Sequence, residues 1–271
     1  MSRIVVGYDG SPAAQAAVDW VATRVVRDGG IVQFVTVGNS VEISDDSRAA
    51  ALLRAAERRL HDLAPASPVE SHQVTGRMPG ALIEDAREAD ILVIGVHRSR
   101  PVRSTLTGLL PAHLAAHVET PLCLVPDTWE PNNRPVTVGV DDDTSSDNAL
   151  VFAAREAATQ GIGLRVVHGW LMPAPTIDGT VTLLASPPQV KEAHRRILRE
   201  AVQQCASVSL ELDIEERLVP EEAASALRGA APESSLIAIG THHRGLLSAI
   251  AAGVAFEIIG QVDCPVCVVP A

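Results

Sequence analysis

The sequence predicts an α/β protein built of two consecutive domains, each a parallel sheet wound by helices on both faces. Three observations carry that expectation. The same series of landmarks occurs twice along 271 residues, a length that suits two ordinary domains. Short apolar runs of strand length recur between stretches of helical periodicity. Two of those runs, 91–95 and 236–239, are apolar throughout rather than alternating, as strands covered on both faces are. Strand–helix alternation of this kind gives a parallel, doubly wound sheet.

In the first unit the elements follow in order. A strand is expected at 3–8 (RIVVGY), then helical periodicity at 13–27. The next strand falls at 31–37 (IVQFVTV) and the next helix at 47–63. Strands at 69–74 and 91–95 flank a helix at 80–88, and a helix at 109–118 leads to a last strand at 121–125. The second unit repeats the landmarks. Ile4–Asp9 (IVVGYD) corresponds to Val136–Asp141 (VTVGVD), and Ile91–Gly95 (ILVIG) to Leu236–Gly240 (LIAIG). Gly108 corresponds to Gly253, and Pro121–Pro126 (PLCLVP) to Pro265–Pro270 (PVCVVP). The intervening segment DTWEPNNRPV is rich in Pro and Asn and reads as a linker. The expected division is a first domain at 1–127, a linker at 128–135 and a second domain at 136–271.

Composition narrows the function classes. Hydrophobic residues at 46% and charged residues at 20% allow a sizeable core, and only 3% are aromatic, so Ala and Val must fill it. A formal net charge of -11 argues against nonspecific nucleic-acid or acidic-membrane binding. The start of the chain carries no signal-peptide pattern, and the longest apolar stretch, near 246–256, is too short to span a bilayer. Four cysteines, mostly in apolar segments, suit a reducing cytoplasm.

Ligands of open parallel sheets sit beyond the carboxyl ends of the strands. Three segments converge there in the first unit: Gly7-Tyr8-Asp9-Gly10-Ser11-Pro12, the end of the second strand near Val37, and the Gly95–Gly108 loop with its following helix. Glycine at both ends of such a loop means that something approaches the backbone closely. A phosphate at the next helix's amino terminus is one occupant. Arg98, Arg100 and Arg103 make that loop basic, as His242, His243 and Arg244 do in the second unit. The bland alternatives are that Asp9, Ser11 and Pro12 start a helix and that the arginines are solvated.

At these residues the chain resembles the universal stress proteins, over nearly all of both units. The resemblance implies two Rossmann-like (adenine nucleotide alpha hydrolase-like) domains of five parallel strands each, pairing through the last strand. It also implies nucleotide-linked regulation rather than catalysis, with ATP or another adenine nucleotide as ligand. ATP-binding members carry Gly-x-x-Gly, nine residues, then Gly-Ser or Gly-Thr after the fourth strand. Gly95 and Gly108 match in the first unit, but Arg98 and Leu109 replace the second glycine and the hydroxyl. Gly240 and Gly253 match in the second, with His243 and Val254 at the replaced positions. Asp9 and Asp141, two residues beyond Gly7 and Gly139, match the strand-end aspartate beside the nucleotide. Val37 and Gly169 match the position whose backbone faces adenine. Asp141-Asp142-Asp143 stands where the first unit has Asp9-Gly10-Ser11. Those carboxylates repel a triphosphate unless Mg²⁺ bridges them, or they cap the next helix. The first unit is therefore the better nucleotide site.

Other signals carry less. Cys264 and Cys267 are three apart at a strand start and point to opposite faces. His113 and His117 share a helix face without an H-E-x-x-H motif. Trp20 and Trp170 suit core or interface positions. No P-loop, catalytic lysine or Ser-His-Asp arrangement announces an enzyme. The chain is expected to be non-enzymatic, with an adenine nucleotide and protein partners, as a pseudo-dimeric monomer or a homodimer. The competing expectation is an interaction module that has lost nucleotide binding, acting through surfaces such as the outer last strand and 171–190. An enzyme using the basic loop is a third.

Overall fold

The computed structural model of the chain describes residues 2–38, 48–98, 110–171, 187–241, 253–255 and 257–271. In the first half, β1 (Arg3–Gly7), α1 (Pro12–Asp28), β2 (Ile31–Gly38), α2 (Arg48–Leu63) and β3 (Val69–Thr75) come first. They are followed by α3 (Gly80–Asp85), β4 (Ile91–Val96), α4 (Leu110–His117) and β5 (Leu122–Pro126). The second half runs β6 (Val136–Gly139), α5 (Asp147–Gln160), β7 (Leu164–Gly169), α6 (Pro187–Val208), β8 (Ile214–Val219), α7 (Ala223–Ala230), β9 (Leu236–Thr241) and β10 (Val266–Pro270). The helix expected at 80–88 is shorter than the periodicity suggests, because Ala86 already leaves the helix as its C-cap.

Local chemistry sets the helix ends. Ser11 caps α1 by accepting a hydrogen bond from the Ala14 amide at 3.1 Å, and Pro12 occupies the first turn. Gly29 ends the helix at φ 67°. Gly161 ends α5 in the left-handed conformation at φ 64°, where its N–H donates back to the Ala157 carbonyl.

The strands form one sheet in the order β3-β2-β1-β4-β5-β10-β9-β6-β7-β8. Within each half all pairings are parallel, for example Ile4↔Val32 and Ile4↔Ile91 around β1. The halves meet through β5 and β10, which pair antiparallel with Cys123 opposite Cys267. The order reads alike from either edge, so the halves are related by a pseudo-twofold axis at that seam. The last-strand pairing that the resemblance implies is thus made within one chain, and neither last strand is the outer surface expected for an interaction module, because β5 and β10 each have a neighbour on both sides. The outer strands β3 and β8 are the least buried and carry charged or polar residues, which blunts the open edges.

Alternate strand residues face opposite layers. Ile4 and Val6 belong to one buried cluster with residues of α1, α2, α5 and α6, whereas Val5 belongs to another with residues of α3, α4 and α7 and with Ala255, Ile258, Ile259 and Val262. Both faces of the sheet are covered, which explains the unbroken apolar runs of β4 and β9. Alanine fills the close helix–sheet contacts: Ala13, Ala14, Ala17, Ala149, Ala153, Ala154 and Ala157 are all buried. A core built this way needs few aromatic rings.

Candidate functional site

In each half the first strand lies beside the fourth, and their following helices leave toward opposite faces. β1 leads to α1 in one layer, and β4 leads to α4 in the other. The β1/β4 pair, in register at Gly7↔Ile94, is therefore the topological switch point of the first half. It brings Gly7, Asp9 and Gly95 to one crevice, with Val37 and Gly38 at the neighbouring end of β2. β6 and β9 make the equivalent crevice in the second half, with Gly139, Asp141 and Gly240 at its rim and Gly169 at the end of β7.

What approaches the backbone at Gly95 is the first turn of α1. A Cβ there would stand 2.1 Å from the Ala13 carbonyl carbon and oxygen and 2.5 Å from the Ala14 nitrogen. A Cβ at Gly240 would stand 1.9 Å from the Ser145 carbonyl oxygen, in the 3₁₀ turn that precedes α5. These two glycines let the start of the first helix dock onto the end of the fourth strand. Gly7 and Gly139 admit the side chains of Leu82 and Leu227, and Gly169 admits the start of α7. The glycine pattern thus shapes the crevice from behind, by drawing a helix amino terminus into it.

Asp9 sits exposed at the rim, and its Oδ1 accepts the Ser11 amide at 2.9 Å. In the second half Asp141 accepts the Asp142 amide at 2.9 Å, and its own N–H donates to the Ser146 hydroxyl at 3.0 Å. Asp143 accepts the Ser145 amide at 2.8 Å and caps the 3₁₀ turn. Carboxylate oxygens of Asp141, Asp142 and Asp143 lie within 4.8 Å of one another, all exposed.

Arg98 turns away from its own crevice. Its guanidinium pairs with Asp263 of the second half, and the Thr128 hydroxyl donates to the same carboxylate at 2.9 Å. The Arg98 amide donates to Asp127 at 3.1 Å, and His97 Nδ1 lies 3.0 Å from that carboxylate. Burial pushes Asp127 up, but the Arg98 N–H and His97 outweigh it and hold the carboxyl below its ordinary range. The end of β4 is thereby tied across the seam.

The second crevice holds a histidine pair that sequence reasoning missed. His168, buried in β7, has Nδ1 at 2.8 Å from the Val140 carbonyl and Nε2 at 2.8 Å from Nδ1 of His194 on α6. Trp170 lies against His194 with ring centroids 5.3 Å apart. Burial, and then the neighbouring His168, lower the His194 pKa. The one hint in sequence was a histidine inside an apolar strand. Of the remaining candidates, Gly253 and Val254 are half-buried and helical, and Val254 packs against the core. Gly108, Leu109 and His243 lie outside the described residues, as do Arg100, Arg103, His242 and Arg244 and most of 171–190.

The cysteines are structural. Cys123 and Cys267 are fully buried at the seam, and burial pushes the Cys264 thiol up to about 12. A thiol raised that far is a poor nucleophile at neutral pH. Trp20 is buried in the core with the Arg24 guanidinium 5.9 Å from its ring centroid. Among the described residues no helix is long and apolar enough to cross a membrane.

This architecture agrees with known proteins. A universal stress protein of Mycobacterium tuberculosis is 27% identical over 197 residues, covering 62% of this chain and 62% of its own length. The chain thus spans less than two thirds of that relative. A second M. tuberculosis universal stress protein is 24% identical across 95% of this chain and 92% of its own. The crystal structure of a universal stress protein from Archaeoglobus fulgidus superposes with a TM-score of 0.73 at 15% identity, covering 99% of this chain and 98% of that one. The model of the universal stress protein family matches twice, at residues 1–126 and 132–270, and the chain belongs to that family.

Proposed function

We propose that this protein is a non-enzymatic regulator that binds ATP, with or without Mg²⁺, or another adenine nucleotide, in the crevice of the first half. The observation that supports this reading best is the β1/β4 switch point, where Gly7, Asp9 and the start of α1 meet. Such crevices suit nucleotides because they open beyond the strand ends, where a helix amino terminus adds partial positive charge. Asp9 would face the nucleoside and Val37 the base, with Gly95, Gly108 and Leu109 along the phosphates. Arg98 would join them only by leaving Asp263. The second crevice, with Gly139, Asp141, Gly169, Gly240, His243, Gly253 and Val254, is the weaker candidate. Its three exposed carboxylates disfavour a triphosphate without a cation.

A second reading has an observation of its own. Arg98 is engaged by Asp263, and Asp9 by the Ser11 amide, so both side chains already have partners. That favours an interaction module without nucleotide. Under either reading the protein works in a reducing cytoplasm, as a pseudo-dimeric monomer whose last strands pair internally or as a homodimer of such chains. The division at 1–127, 128–135 and 136–271 is supported by β5 ending at Pro126 and β6 starting at Val136.

Calorimetric titration of nucleotide-stripped protein with ATP and Mg²⁺ separates the readings. Micromolar binding near one equivalent, weakened in Asp9→Ala, supports the nucleotide site. Stoichiometry near two brings in the second half. No heat and no thermal stabilisation at millimolar ATP would leave the interaction module.

A further inference from the structure

Strand register places His168 on β7 where Thr36 stands on β2. Each follows the residue paired with a strand-end glycine, Gly7↔Val35 in the first half and Gly139↔Val167 in the second. The two side chains make the same local bond. Thr36 Oγ1 donates to the Tyr8 carbonyl at 2.8 Å, and His168 Nδ1 lies 2.8 Å from the Val140 carbonyl. A hydroxyl does not titrate near neutral pH, whereas an imidazole adds a second nitrogen that does.

The hydrogen bonds fix where the protons lie. A carbonyl only accepts, so His168 Nδ1 carries a proton. In the neutral ring Nε2 is then bare, and His194 Nδ1, 2.8 Å away, donates to it. The remaining basic nitrogen of the pair is Nε2 of His194, whose ring is half-buried. A first proton enters there and leaves both bonds in place. A second must go on Nε2 of His168, a residue only 2% exposed. That sets N–H against N–H and brings two imidazolium rings together. The contact between β7 and α6 therefore survives one proton and not two.

The start of α6 depends on this contact. Among the described side chains of the helix none before Leu198 is buried, whereas Leu198, Ala201 and Cys205 anchor the rest. His194 also holds Trp170, with ring centroids 5.3 Å apart. Burial, and then His168, lower the His194 pKa, and Asp142 opposes them from the segment after β6. The Asp141 and Asp143 carboxylates gather beside that of Asp142. On α6 itself Lys191 and Arg195 flank His194, both exposed. β8 sets Leu218 opposite His168, with Glu216 two residues back on the same face.

We propose that the His168–His194 pair is a proton-operated catch, which holds the first turns of α6 against β7 beside the second crevice and releases them when both rings are protonated. Release uncovers Trp170 and the crevice rim at Asp142. A released histidine titrates near about 6.5, and the docked pair takes protons less readily, so the released state binds more of them. The contact is then fully present above about pH 6.5 and is lost as pH falls. With two protons taken up on release, the opening constant rises by up to about 100-fold per pH unit. The catch does not rest on the nucleotide reading.

The test is hydrogen exchange of the full chain, read by mass spectrometry over residues 187–197 from about pH 7.5 to about pH 5 and corrected for the intrinsic exchange rate. Protection there is expected to fall with pH while the strands keep theirs. His168→Thr installs the first half's residue, which bonds the carbonyl but does not reach α6, so protection should be low at every pH. His194→Gln can still donate to His168 but takes no proton, so its opening constant should rise no more than about tenfold per pH unit. Asp142→Asn removes a charge that attracts the proton, and should move the loss to lower pH. The proposal is overturned if protection over 187–197 is equal at both ends of the pH range. It is equally overturned if His168→Thr follows the wild-type profile, or if the strands lose protection together with α6.

Discussion

Replacing Gly95 with alanine should cost the protein much of its stability, through the packing of α1 and not through any ligand. The new Cβ would sit 2.1 Å from the Ala13 carbonyl. Carbon atoms in good contact stand about 3.5–4.0 Å apart, so α1 and the end of β4 must separate by roughly 1.4 Å. Rotamer changes cannot absorb this, because the obstructing atoms are backbone. α1 is a 17-residue helix with Val18, Trp20, Val21 and Val25 among its buried side chains, so a rigid shift loosens contacts along its length. A gap of 0.5–1 Å already forfeits about a quarter to a half of a dispersion contact. Overpacking of this kind costs about 1–3 kcal/mol, and a backbone clash belongs at the upper end. For a chain of this size, about 3 kcal/mol lowers the melting temperature by roughly 6–12 °C. Thermal melts and urea titrations of Gly95→Ala and Gly240→Ala would measure it, with Gly229→Ala as the control. Gly229 lies within α7 with no heavy atom within 4 Å of an added Cβ, so that variant should gain about 0.4–1 kcal/mol. If Gly95→Ala melts with the wild type, the close approach of α1 is not what the glycine serves.

Two further outcomes are expected. Glu156 is 5% and Arg24 17% exposed at the side chain, and their pair joins α5 to α1 across the seam. Burial alone would lower the Arg24 pKa, but Glu156 outweighs it and raises it. Glu156→Gln should destabilise by about 3 kcal/mol, because removing one partner strands a buried charge. Equilibrium urea unfolding would show this, and a change below about 0.5 kcal/mol would mean that solvent already screens the pair. Asp127 titrates below its ordinary range in the folded chain, so the unfolded state binds more protons as pH falls. Its contribution is fully present above about pH 4 and is lost as pH drops through the folded value. The stability gap between wild type and Asp127→Asn should therefore narrow below about pH 4 in urea midpoints, and a gap independent of pH would contradict the assignment.

The sequence by itself determined the repeat, the parallel doubly wound architecture and nearly every strand. β4 and β9 announce themselves because burial on both faces leaves no polar residue in the run, a property of each strand's own composition. The strand-end residues Gly7, Asp9, Gly139 and Asp141 were legible for a related reason. A turn from strand into helix needs capping side chains within a few residues, so its signal is local. Tertiary structure alone decided what those residues meet. Gly95 reads in sequence as a place of close approach, but only the docking of Ala13 shows that a helix backbone takes the space. Arg98 reads as a basic loop residue, yet its partner Asp263 lies 165 positions away and reaches it only because β5 and β10 pair antiparallel at the seam. The His168–His194 pair arises in the same way, from groups separated in the chain that packing brings within a few ångströms. Periodicity and capping act over a single turn or strand, whereas these contacts depend on the register between distant strands, which no local pattern encodes.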